Sequence, residues 1–143
     1  MAAVHPLSWP EYRPGEEVVP LTELANDLSG STMPRFAWIT PDLCHDTHNC
    51  AVLVGDSWLE QEIGQITAST AWKSGGVLFI TWDEDDGTSD NHVLTLVLAT
   101  SVSHRSSGRR YTHYSLLATV EDLLGVGRLG QAAGAASMSD LIG

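Results

Sequence analysis

Four carboxylates in a row, Asp83 to Asp86, follow the apolar run VLFITW (77–82) and end on Gly87. Adjacent carboxylates repel one another and lose hydration where neighbours shield them, so such a cluster is a wet acidic turn or surrounds a cation. Asp83 and Glu84, nearest the apolar run, can each offer a hard oxygen to a divalent ion. A calcium-hand loop does not fit, because Gly87 falls fifth from Asp83 where that loop needs glycine sixth, and no Glu closes it at the twelfth position.

A second group lies in PDLCHDTHNC (41–50). His48 with Asp42 and Asp46 places an imidazole among carboxylates, either as ligands or as a base held by an acid. His45 reads as a surface residue of the same loop. His113 follows Thr112 at the start of a helical stretch, where the positive end of the dipole disfavours imidazolium and suits a neutral ligand or acceptor; a first-turn surface histidine is the alternative. By spacing alone, His5 before Pro6, His92 and His104 read as structural.

The elements that must position these groups are legible as periodicity and punctuation. Four of the six prolines fall in residues 1–20, which predicts an extended arm. LTELANDLSG (21–30) has helical spacing and ends on Gly30, and RFAWIT (35–40) is strand-like and stopped by Pro41. A helix is expected from a cap at Asp56 or Ser57 to about Lys73, with Trp58, Leu59, Ile63 and Ile66 on one stripe. VLFITW and HVLTLVLAT (92–100) read as strands, and Thr112 caps a helix through Leu124 that Gly125 closes. Residues 126–143 form a Gly, Ala and Ser-rich tail.

Alternating strand and helix predict a right-handed parallel crossover and an α/β layer fold, with one domain over residues 1–143: an arm (1–20), a core (21–125) and the tail. In such sheets ligands collect beyond the carboxyl ends of the strands, so both polar clusters are expected at one edge if the strands at 35–40 and 77–82 run parallel.

Seven Lys plus Arg against eighteen Asp plus Glu leave a net charge of -11, which repels phosphate backbones and anionic lipid; nucleic acid and membrane surfaces are poor partners. An anionic substrate would need positive charge from a cation or from Arg105, Arg109 and Arg110. No stretch reaches the roughly 20 apolar residues of a membrane span. The N-terminus lacks the basic start and apolar middle of a secretory signal, so a cytoplasmic protein is expected, with Cys44 and Cys50 as free thiols.

The segments MPRFAWITPDLCHDTHNC, GDSWLEQEIGQI, GVLFITWDEDDG and YTHYSLLATVEDLLGVGRLG, in this order, resemble the C-terminal half of the phosphoesterase family of bacterial acid phosphatases and phosphatidylcholine-type phospholipases C, within the alkaline phosphatase superfamily. The likeness implies a three-layer sandwich fragment with a mainly parallel sheet. It also implies metal-assisted hydrolysis of a small anionic phosphate ester, with a divalent cation at Asp83 and Glu84; Asp42, from the 41–50 loop, is expected to join them as a ligand. His48 matches a phosphate-facing histidine with Asp42 and Asp46 beside it, His5 matches another through VHPLSWPEY, and His113 matches the histidine opening the last helix.

Family members carry, before this region, a Glu-Asn pair that also binds metal and a Ser or Thr nucleophile, and the chain shows neither. The expectation is therefore a phosphoesterase-like hydrolase whose attacking group is water, with its reaction open to redirection. The alternative is a non-catalytic binding subunit. An incomplete sheet with an apolar face predicts self-association or a partner polypeptide.

Overall fold

The computed structural model describes residues 2–4, 18–30, 33–88 and 90–143. They form a mixed α/β structure in two units, Met1–Ser74 and Gly75–Gly143. Among the described residues no helix is long and apolar enough to cross a membrane.

In the first unit, β1 (Ala2–Val4) is the middle strand of a short sheet, antiparallel to β2 (Val18–Pro20) and to β3 (Trp38–Thr40). Val4 stands opposite Val18 on one side and Trp38 on the other. Helix α1 (Thr22–Ser29) buries Leu24 and Leu28, one turn apart on one face, and ends at Gly30. Helix α2 (Val52–Ala68) begins before the expected cap at Asp56 or Ser57: its N-cap is Ala51, which has no capping side chain to announce it. Ser69 then interrupts the helix and starts α3 (Thr70–Lys73), its hydroxyl accepting from the Trp72 amide at 3.1 Å. The serine satisfies an N-terminal amide better than it continues a helix, which is why the single expected helix is two.

In the second unit, β4 (Val77–Thr81) and β5 (Thr95–Ala99) pair antiparallel from Val77 opposite Ala99 to Thr81 opposite Thr95. Helix α4 (His113–Leu124) follows Thr112, which forms a capping box with Ser115, and Gly125 ends it at φ 71°. The residues beyond are a packed part of this unit. The 3₁₀ turn Gly130–Gly134 contacts α4, Ala118, Ala132 and Met138 are buried, and a second turn spans Ser139–Leu141.

Every strand pair among the described residues is antiparallel, and β3 and β4 lie in different sheets. The parallel crossover expected from strand and helix alternation is not what these pairs form. The link from β4 to β5, residues 82–94, holds no helix among its described residues, so the chain returns directly alongside β4 and pairs antiparallel.

Candidate functional site

The first cluster is the loop between β3 and α2. Asp42 organises it: Oδ1 accepts from the amides of Cys44 and His45 at 3.0 Å each, and Oδ2 lies 2.9 Å from His45 Nδ1. The His45 amide, then that of Cys44, then the His45 ring hold the Asp42 carboxyl below the usual carboxylate range. This turn brings the Cα atoms of Cys44 and Cys50 to 4.8 Å, and the two are joined as a disulfide. The expectation of free thiols is corrected accordingly, since a local turn supplied a closure that spacing alone did not suggest.

The bridged segment lies against α2 at Gly55, where an added Cβ would strike the Thr47 side chain and stand 2.8 Å from the His45 carbonyl oxygen. Only glycine leaves room for that approach. The His45 ring leans on Trp58 with centroids 5.6 Å apart. Beside them His45, Leu53, Val54, Ser57, Trp58 and Gln61 line an open pocket of about 460 Å³.

His48 is exposed within the bridge. Its amide donates to Asp46 Oδ1 at 2.8 Å, and its Nδ1 lies 2.8 Å from Asn49 Oδ1. An amide oxygen only accepts, so Nδ1 carries the proton and Nε2 is left to exchange one. The carboxylate expected to hold the His48 ring therefore serves other groups: Asp46 binds the His48 backbone and Asp42 binds His45. His45 and Asn49 are the residues sequence reasoning passed over. Their signals were an acid three residues before a histidine and an amide directly after one.

The second cluster follows β4. Asp85 accepts from the amides of Gly87 at 2.8 Å and Asn91 at 3.0 Å, while Asn91 Oδ1 accepts from the Asp85 amide at 3.1 Å. Asp86 accepts from the Thr88 amide at 3.1 Å. Two of the four carboxylates thus fold the acidic turn itself. Asp83 and Glu84 are exposed and their carboxylates are not used in that way. His113, the first residue of α4, places Nε2 2.8 Å from the Asp83 carbonyl oxygen.

Asp83 and Glu84 have the hard oxygens a divalent cation takes, whereas both oxygens of Asp42 are already engaged by its turn. Among the described residues no three ligating side chains converge. His5 lies outside the described residues; His92 and His104 are exposed.

A model of the phosphoesterase family matches residues 5–127. The chain is similar to a phosphatidylinositol-3-phosphatase of Mycobacterium tuberculosis, 28% identical over 125 residues that cover 87% of this chain and 42% of that protein. It is also similar to an acid phosphatase of Aspergillus fumigatus, 27% identical over 77% of this chain and 26% of that protein. A phosphate-repressible acid phosphatase of Penicillium chrysogenum is 24% identical over 77% of this chain and 28% of its own length. The chain spans less than half the length of each of these relatives. No solved structure matches it.

Proposed function

The chain belongs to the phosphoesterase family, and from that premise we propose that it hydrolyses small anionic phosphate esters with His48 and His113 handling protons. The observation that carries this reading is the His48 ring, exposed and fixed through Nδ1 by Asn49 so that Nε2 is the atom left to work. Water oxygen forms the new bond to phosphorus, the ester P–O bond breaks, and its electrons leave with the ester oxygen. His48 Nε2 takes the proton from water, and imidazolium returns it to the departing oxygen. His113, whose Nε2 proton is held by the Asp83 carbonyl, has Nδ1 for the same kind of exchange.

A divalent cation held by Asp83 and Glu84 would supply neutralisation of charge on the phosphoryl oxygens. We assign Asp42 to organising the loop and Asp46 to holding the His48 backbone. The order of the motifs supports placing the chain in the C-terminal half of the family's domain, within the alkaline phosphatase superfamily, whose layered parallel sheet would need further strands. The disulfide favours an oxidising compartment over the cytoplasm first expected.

A second reading, a non-catalytic binding subunit, is favoured by the apolar start of α2, where Val52 and Leu53 are 74% and 72% exposed and suit a second copy or a partner chain. Release of p-nitrophenolate from p-nitrophenyl phosphate, with and without added divalent metal, separates the two. Turnover supports hydrolysis; no turnover at any metal concentration leaves the binding reading.

A further inference from the structure

The approach to His113 is held by a residue far along the chain. Among the described residues no backbone-to-backbone hydrogen bond holds residues 103–111, the segment leading into α4; the Arg109 amide donates only to Ser107 Oγ, at 3.3 Å. Its side chains converge instead on Asp140: the Tyr111 hydroxyl donates to Oδ1, the Ser107 hydroxyl donates to Oδ2 at 2.8 Å, and Arg109 Nε lies 3.8 Å from Oδ2. Arg105 Nη1 donates to the Asp140 carbonyl at 3.2 Å, and Ser101 Oγ donates to the Ile142 carbonyl at 2.6 Å. Bonds from hydroxyls to a carboxylate are charge-assisted and stronger than neutral ones.

On its other side the segment carrying Asp140 is tied to the body of α4. The Met138 amide donates to Thr119 Oγ1 at 2.8 Å, and both residues are buried. The contacts close a ring from Thr119 in α4 through Met138, Asp140 and Tyr111 to Thr112 and back to His113 at the start of the same helix. Within that ring the first turn of α4, which frays readily in a free helix, has a fixed path of entry.

We propose that Asp140 is a positioning residue for His113, acting through Tyr111; the role rests on the hydrolytic reading above. Asp140 touches no reacting atom. It fixes the direction from which the chain enters α4, and with it the alignment of His113 Nε2 on the Asp83 carbonyl. Two of the three arginines that could supply positive charge, Arg105 and Arg109, are drawn into this tie.

The test uses the full chain with ¹⁵N-labelled histidine. Wild-type His113 is expected as the Nε2-protonated tautomer. Asp140→Asn, and Tyr111→Phe, which removes a single hydroxyl, should both move its ring resonances toward the mixed tautomers of free imidazole and leave those of His48 in place. Both should lower kcat on p-nitrophenyl phosphate about tenfold, the scale of a small misalignment, with KM within about twofold. His113 resonances unmoved in Tyr111→Phe, or moved with kcat intact, would overturn the proposal. A wild-type chain without turnover would count against the hydrolytic reading, while the resonances still judge the tether.

Discussion

His113 donates its Nε2 proton to the backbone carbonyl of Asp83, 2.8 Å away, so the contact between α4 and the end of β4 does not use the Asp83 carboxylate. The backbone contact of Asp83 and its proposed part in holding a cation can therefore be separated by mutation. Asp83→Ala and Glu84→Ala should each weaken divalent-cation binding by at least about tenfold, since losing even a partner one step removed from a metal costs that much, with the His113 ring signals unchanged. Titration calorimetry with Mg²⁺ or Mn²⁺ measures this; affinity equal to wild type in both variants would remove the cation from the account.

Gly55 and Gly64 lie in the same helix and should respond oppositely to alanine. At Gly55 the new methyl meets Thr47 and the His45 carbonyl, while at Gly64 nothing lies within 4 Å. Gly55→Ala should cost about 1–3 kcal/mol of overpacking and lower kcat by displacing the bridged loop. Gly64→Ala should gain about 0.5–1 kcal/mol from helix propensity. Thermal unfolding of the two variants gives both signs in one experiment.

The Cys44–Cys50 bridge encloses His45, Asp46, His48 and Asn49. Replacing both cysteines by serine should lower stability by about 2 kcal/mol, the loop-closure entropy of so short a ring, and reduce turnover because the His48 ring loses its fixed frame. Unfolding in urea and steady-state kinetics check the two effects. Equal turnover in the serine variant would show that the bridge serves stability alone.

Among the described residues, the carboxyls of Asp42, Asp122 and Asp140 are held below their usual range, Asp42 by the amide of His45, Asp122 by its hydrogen bonds from Arg128, and Asp140 by the Tyr111 hydroxyl. A carboxyl with a lowered folded pKa adds stability that is present above its unfolded value of about 3.9 and is lost as pH falls through the folded value. Melting temperature should accordingly drop from about pH 4 downward. Asp42→Asn should make that acid limb shallower.

Local signals carried much of the fold. Thr112 and Gly125 bounded α4 because each serves its helix end by its own chemistry, a hydroxyl for the first amides and a left-handed turn at the last carbonyls. Strand positions at 77–81 and 95–99 followed from apolar runs. Strand partners were not legible, since a three-residue strand such as β3 carries no mark of which neighbour it will meet. The loop chemistry was half legible: Asp42, Asp46 and His48 were picked by type, but which oxygen meets which nitrogen depends on the turn, and the turn gave Asp42 to His45. The tie from Asp140 to Tyr111 joins residues too far apart in sequence for any local pattern to record.

Turnover of p-nitrophenyl phosphate by wild type and His48→Ala, at matched folded concentration and saturating divalent metal, puts the central claim to its plainest test. Wild type should release p-nitrophenolate, and kcat should fall by about 100-fold or more when the imidazole is removed, the usual contribution of a general acid and base. Equal rates from the two proteins would contradict it.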